Sequence, residues 1–553
     1  MRKAMIKECR HRGSFAELAL IVGEKPIRYK VNVTVEDANL LKPRTECEFE
    51  ADGINLTKLF AGGKEIALNK NNQPESSRTK DANKQNSSNY RGKQVSNNNR
   101  AGKSTLSNAQ ASAENAKAPY NFVPINKTVI PAETIPYFDC YHIERHTGYI
   151  DLNIESLTPL YIRDAYTQEE ESKAIKAALV CKECKNKSCS ECEHLKVRVN
   201  SNFFSPGGNP KIPGSSLRGM MRNLVEIISY SKMEYVNDTR FDYREVKSRK
   251  RVPYVKTVKD HIPSANKNFM GTEFATAIFG NADKFAGRVF FEDAQMIEDA
   301  GQYPALSPRI LSTPKPTAVQ HYLVQKGKKM ANWNDDPDIR GHKLYWHRRT
   351  SDDHRMKYSW PESGEINTQH TVIEPQKPGT KFKGRIRFDN LSDVELGALL
   401  FALDLPRECA HKIGMGKPLG LGSIRISPTV VISKRTGESA SHTGRYGKLF
   451  DNQQWYLPVE KVDKDLKAEF SRYIWSALPD EEKAGADSVN DLWSIPRIKE
   501  LWVMLRYDKE RMGKSDWLEK TRYMEIEREG VPPRERNEFR NRPILQSPSE
   551  ILN

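Results

Sequence analysis

Short stretches of this chain alternate polar and apolar residues with a period of two, while a few others repeat at helical spacing. Arg28 to Val35 (RYKVNVTV) and Glu46 to Ala51 alternate strictly, with Gly53 and the Gly62-Gly63 pair as turn signals. Residues 1–69 therefore read as a small β module, OB-like or another small barrel. From Lys70 to about Lys117 the chain turns to Asn, Ser, Lys, Gln and Ala. So few apolar anchors cannot offset the entropy of ordering, which predicts a disordered linker over 70–117.

A main domain follows over 118–445. Gly148 to Leu157 predicts a strand with Ile150, Leu152 and Ile154 on one face. A helix is expected over Lys211 to Ser231, with a turn at Pro213-Gly214 and Ser215 or Ser216 as cap. Its apolar stripe is Leu217, Met221, Leu224, Val225 and Ile228. Strands are expected at Arg288 to Phe291 and through Phe382, Ile386 and Phe388. Ser392-x-x-Glu395 then opens a second helix with Leu396, Leu399, Leu400 and Leu403 inward. A strand at Ser423 to Ile426 completes an α+β order of strand, helix, strand, strand, helix, strand. That is the split βαβ of a ferredoxin-like (RRM-type) fold, here with large insertions. Residues 446–553 read as a helical C-terminal region (Phe470 to Leu478, Arg497 to Leu505) with an extended charged tail from about Glu519.

Charge narrows the choice of partner. The 553 residues carry a net charge of +16, and the pI is about 9.2 with a mean hydropathy of −0.71. Such an excess suits a polyanion, because Lys and Arg on phosphates release counterions. No run approaches the roughly 18 apolar residues of a membrane span. Met1, Arg2 and Lys3 are followed by no apolar segment, so no signal peptide is read and the expected compartment is the cytoplasm.

Half of the eight cysteines fall in Cys181-x2-Cys184-x4-Cys189-x2-Cys192, with His194 close behind as a spare ligand. Two CxxC turns present four thiolates for tetrahedral structural Zn2+, and the short spacer suggests a compact knob within 181–194. Disulfides suit the cytoplasm poorly, and a redox CxxC needs no second copy. Cys9, Cys47, Cys140 and Cys409 are expected to pack as small hydrophobes.

Two further features suit nucleic acid. The loop Gly414-Met-Gly-Lys-Pro-Leu-Gly-Leu-Gly422 lets backbone approach phosphates closely, with Lys417 at its middle, although it is not a Walker motif. Cations interleave with aromatics in Tyr243 to Lys259 (Arg244, Lys247, Arg249, Lys250, Arg251) and in Lys343 to Trp360 (Tyr345, Trp346, Arg348, Arg349), joined by Lys315. Aromatic platforms for bases beside cations for phosphates are single-strand chemistry.

Ile212-Pro-Gly-Ser-Ser-Leu-Arg-Gly-Met-Met-Arg-Asn223 and the Gly414–Gly422 loop together resemble signatures of the CRISPR-associated RAMP superfamily. Pro119-Tyr-Asn-Phe-Val-Pro124, His146-Thr-Gly-Tyr149, Pro314-Lys-Pro-Thr-Ala-Val-Gln-His321 and Gly341-His-Lys-Leu-Tyr-Trp-His-Arg348 are similar to one of its subfamilies. The resemblance covers about residues 119–427 and implies an RRM-like RAMP core in a backbone subunit of a type III CRISPR effector. Its expected partners are guide RNA, target RNA and other effector subunits. Candidate RNA contacts are Ser215, Ser216, Arg218, Arg222, Lys247, Arg249, Lys250, Arg251, Lys315, Arg348, Gly414, Gly416, Lys417, Gly420 and Gly422.

In active members of that family an aspartate after the first strand cuts target RNA with Mg2+ or another divalent ion. The matching position is Asp164, in Leu160-Tyr-Ile-Arg-Asp-Ala165. Here the cysteine-bearing insertion lengthens that loop, and Arg163 and Asp164 stand where glycines are usual. Glu169, Glu170 and Glu171 are the nearest acidic neighbours in sequence. Two other readings stay open: a repeat-processing endoribonuclease of the same superfamily with His142 or His146 as general base, and a zinc-containing RNA-binding adaptor outside CRISPR.

Overall fold

The computed structural model describes residues 2–12, 15–22, 25–31, 46–52, 55–61, 64–66, 115–164, 202–234, 236, 238, 240–244, 250–304, 308, 316–326, 330–349, 373–433, 459–460, 464–526, 528 and 530–552. They fall into two compact units, Met1–Gly102 and Lys103–Asn553.

The first unit is a six-stranded antiparallel sheet. Its strands are β1 (Arg2–Arg12), β2 (Phe15–Val22), β3 (Lys25–Val31), β4 (Glu46–Asp52), β5 (Asn55–Ala61) and β6 (Lys64–Glu65), in the order β3-β2-β1-β4-β5-β6. The alternation of Glu46 to Ala51 is realised as expected, for Cys47 and Phe49 are buried between outward glutamates. The sheet curls enough to bring β3 and β5 within 8 Å.

The second unit is a layer of helices on a larger sheet. β8 (His146–Ser156) is its central strand, flanked antiparallel by β15 (Lys381–Leu391) and β17 (Ser423–Ser433). On the far side of β15 lie β12 (Val289–Phe291) and β13 (Ala294–Glu298), and β9 (Lys211–Ile212) pairs with β13. Taken with the two helices between them, the strands stand in the spatial order fourth, first, third, second, which is the split βαβ arrangement. Ile150, Leu152 and Ile154 of β8 and Phe382, Ile386 and Phe388 of β15 face the helices and are buried.

The first helix, α1 (Gly214–Ile228), buries the predicted stripe of Leu217, Met221, Leu224, Val225 and Ile228. Its start differs from expectation. Pro213 holds the cap position and neither Ser215 nor Ser216 caps it. Instead the Gly214 amide donates to Asp293 Oδ1 at 2.8 Å, so a carboxylate from between β12 and β13 satisfies the helix end. A short helix, α2 (Phe274–Phe279), is wholly buried.

The longer helix α3 (Asp393–Leu403) starts in the capping box that Ser392-x-x-Glu395 predicts. Glu395 is fully buried and also receives Arg288 Nη1 at 2.8 Å and Arg145 Nη1 at 3.0 Å. The cap is thus the centre of an internal ion network.

The C-terminal helices complete this core. α4 (Leu466–Ala477) packs along α3, and Phe470, Ile474, Ile498 and Leu501 join the same cluster as the sheet. α5 (Pro496–Leu505) lies on β7 (Tyr120–Pro124), which pairs with β14 (Gly341–Tyr345) in a two-stranded ribbon. The charged tail is docked. Leu545 and Ile551 are buried, and Arg522 links Glu519 and Glu538 at 2.6 to 2.8 Å. Asn115–Lys117 pack there too, with Lys117 Nζ 2.5 Å from Glu519. Cys47 and Cys409 are buried as expected, whereas Cys140 is exposed. The side chain of Cys9 lies outside the described residues.

Candidate nucleic-acid interface

Every strand that ends near Ser156 delivers a loop to the same end of the sheet. The loop after β8 runs through Leu160–Asp164. It is joined to the segment leading into β9 by a bridge between Arg163 and Phe203 and by the Asp164 amide donating to Asn202 O at 3.1 Å. Asp164 is half-buried, and its Oδ2 accepts from the Ser205 amide at 3.4 Å.

The glycine-rich loop packs directly on this segment. The Met415 amide donates to Tyr161 O at 2.9 Å and the Gly422 amide to Pro159 O at 2.9 Å. Gly414, Gly416, Gly420 and Gly422 all have positive φ, which L side chains rarely adopt. A Cβ at Gly414 would meet Tyr161 O at 2.4 Å, and one at Gly420 would meet Arg348 O at 2.5 Å. The glycines therefore serve the loop's own close packing. The amides of Ile413, Met415, Leu419, Gly420, Leu421 and Gly422 already go to backbone carbonyls. What this loop offers an anion is chiefly its cations.

Those cations crowd together. Lys417 Nζ donates to Gly414 O at 2.6 Å, and burial lowers its pKa. Lys412, two residues before Gly414, is lowered to about 7 by burial and by the neighbouring charges of Lys417 and Arg348. Its Nζ donates to Ser423 Oγ at 3.3 Å, and that oxygen lies 2.8 Å from Nδ1 of buried His347. Nε2 of His347 faces Ala410 O at 3.0 Å and so carries the proton. Nδ1 then accepts from Ser423. Arg348 Nη1 donates to Thr521 O at 2.9 Å.

The structure thus brings Asp164, Arg348, Gly414, Gly416, Lys417, Gly420 and Gly422 to one loop cluster. Sequence reasoning missed Lys412, whose only local signal was its place beside the glycine run. Arg218 and Arg222 turn toward the end of α2, donating to Phe279 O and to Gly280 O. Ser215 is exposed and Ser216 half-buried at the start of α1. Lys250 and Arg251 are exposed on the hairpin of β10 (Asp242–Arg244) and β11 (Arg251–Pro253). Tyr254, just beyond it, belongs to a separate packing cluster with Trp333. Lys247, Arg249, Lys315, Glu169 to Glu171, Cys181, Cys184, Cys189, Cys192 and His194 lie outside the described residues.

The Lys343 stretch departs most from expectation. Lys343 Nζ sits 3.7 Å from the centre of the Tyr120 ring, with Tyr322 and Tyr345 at 5.3 and 5.6 Å. Burial lowers its pKa to about 8. Trp346 is fully buried. These aromatics therefore stack on the chain's own lysine, and in doing so they join segments far apart in sequence.

The alternative general bases sit at the other end of β8. His146 Nε2 is 2.5 Å from Asp393 Oδ1, and His142 Nε2 is 3.1 Å from Tyr137 O. Among the described residues no group of three or more His, Cys, Asp or Glu is placed to hold a metal ion.

The RAMP superfamily profile matches residues 153–425. Residues 153–425 form a RAMP superfamily domain. This RAMP domain contains Asp164, the start of α1, Arg348 and the whole glycine-rich loop. No curated protein matches the chain. Among solved structures it is similar to a chain of "Type III-B Cmr-beta bound to cognate target RNA", at 14% identity and a TM-score of 0.24 over 52% of this chain. The match spans 61% of that chain's length. No helix among the described residues is long and apolar enough to cross a membrane.

Proposed function

We propose that this chain is an RNA-binding backbone subunit of a type III CRISPR ribonucleoprotein effector, holding guide RNA alongside other effector subunits. The observation that carries the reading is the crowding of Lys412, Lys417 and Arg348 at the glycine-rich loop of a RAMP domain. Burial first, and then the charges of Lys417 and Arg348, disfavour the charged form of Lys412, and a phosphodiester beside them would offset that penalty. The six-stranded first unit, in the order β3-β2-β1-β4-β5-β6 with β3 near β5, supports an OB-like accessory module on the same chain. The cysteines at 181–192 are assigned structural zinc.

The test is binding of single-stranded RNA to the purified chain across a salt series. Affinity should fall steeply with salt, and Lys417→Ala should weaken binding and flatten that slope. Equal affinity for duplex DNA, or a slope unchanged by Lys417→Ala, would remove this loop from the RNA path. Asp164 is the carboxylate we assign to target cutting. In an assembled effector, Asp164→Ala should abolish magnesium-dependent cleavage of a guide-paired target and leave RNA binding intact. Continued cutting opposite this subunit would move the role to another residue.

A further inference from the structure

Beside Gly420 the loop cluster opens into a cavity of about 230 Å³. It is lined by two tyrosines, Tyr303 and Tyr507, and three cations, Arg348, Arg349 and Lys509, over an apolar floor of leucine, proline and methionine. None of the residues lining it is acidic. The two rings come from distant parts of the chain, one after β13 and the other after α5.

The Tyr507 ring is held by its own contacts, and Tyr303 is anchored through its backbone. Tyr507 Oη donates to Leu157 O at 3.1 Å, and its ring meets the buried His347 ring edge-on at 5.6 Å. The Tyr303 amide donates to Pro375 O at 2.8 Å, and Lys377 Nζ lies 5.9 Å from its ring centre. Arg349 is held through its amide on Met512 O at 2.9 Å. Lys509 is exposed at the rim. Rings that stack on any base, beside cations that hold a phosphate, make a site for single-stranded nucleic acid. The volume of about 230 Å³ lies just below the ~300–1,000 Å³ of ordinary ligand pockets and suits a single base.

We propose that this cavity takes one unstacked nucleotide of a single-stranded RNA, its base against Tyr303 and Tyr507 and its phosphate on Arg349 and Lys509. This rests on the RNA-binding reading above and adds the point at which a base leaves the strand. A free nucleoside monophosphate has the same chemistry, and the experiment separates the two sources.

The full chain is irradiated with a short single-stranded RNA carrying 5-iodouridine, and the crosslinked peptides are mapped. Crosslinks should fall on the peptides of Tyr303 or Tyr507. Tyr303→Ala should weaken RNA binding about tenfold or more and remove the crosslink, as loss of a stacking ring does, while Tyr303→Phe retains both. Lys509→Ala, at an exposed position, should weaken binding a few-fold and lower the salt slope by about one. Unchanged melting temperatures establish that the variants are folded. If the wild-type chain binds RNA, crosslinks elsewhere and is indifferent to Tyr303→Ala, the cavity assignment fails and the RNA-binding reading stands. If the wild-type chain binds no RNA, both fail. Uridine monophosphate competing as tightly as the oligonucleotide, in a Tyr303-dependent way, would overturn the strand assignment in favour of a free nucleotide.

Discussion

Replacing Lys412 with methionine should make the protein more stable, and by an amount that depends on pH. Methionine keeps the length of the side chain and removes its charge. In the folded chain the Lys412 pKa falls from 10.5 to about 7, through burial first and then the charges of Lys417 and Arg348. A lowered lysine pKa means the folded state binds the proton less well than the unfolded one. The penalty is therefore complete below pH 7 and fades as pH rises toward the unfolded value. Full conversion of the shift gives about 5 kcal/mol, and the half-buried side chain's access to water reduces this to about 3 kcal/mol. Urea unfolding followed by tryptophan fluorescence reads the right unit, since all eight tryptophans lie between Trp333 and Trp517. Lys412→Met should exceed wild type by about 3 kcal/mol near pH 6 and by less than about 1 kcal/mol near pH 10. Lys343, also lowered, titrates in both proteins and cancels in the difference. A gap that stays constant with pH, or a variant less stable throughout, would refute the reasoning.

Gly422→Ala forces a Cβ to within 1.8 Å of Ile413 O at a φ of +79°, and should cost about 3 kcal/mol or more in thermal unfolding. Gly219→Ala, exposed in α1 with nothing within 4 Å, should instead stabilise by about 0.5–1 kcal/mol. Arg288→Met leaves the fully buried Glu395 short of its main partner and should destabilise by about 3–5 kcal/mol, read as a lower urea midpoint. Metal analysis of the purified chain should give near-unit zinc, lost in the Cys181→Ser, Cys184→Ser double variant, and zinc-free protein with oxidised cysteines would sink that assignment.

The features read correctly from sequence are those whose cause is local. Ser392 and Glu395 satisfy each other's backbone amides three residues apart, so the capping box was visible without any tertiary information. Alternation in β8 and β15 gave the buried face, and helical spacing gave the stripe of α1. What sequence misassigned depends on distant partners. Lys343 and its aromatics read as an RNA platform because nothing near them shows that Tyr120 will lie opposite Tyr345 across the β7–β14 ribbon. The serines at the start of α1 suit a cap locally, but the partner of its first amide is Asp293, some eighty residues away. The density of glycines before β17 was legible, but their reason was not, since it lies in the backbone oxygens of Tyr161 and Arg348. Tyr303 and Tyr507 had no local signal at all.

The bond between the Asp164 amide and Asn202 O, with its bridge from Arg163 to Phe203, has a practical meaning for the segment it closes. Asp164 and Asn202, the described residues that flank 165–201, are tied to each other like the two sides of a socket. Whatever length of chain is plugged in there, the register of β8 against its neighbours is fixed by residues outside it. The position is therefore a natural port for evolutionary drift in size, and for an engineer it is where added chain leaves the strand register to residues outside it.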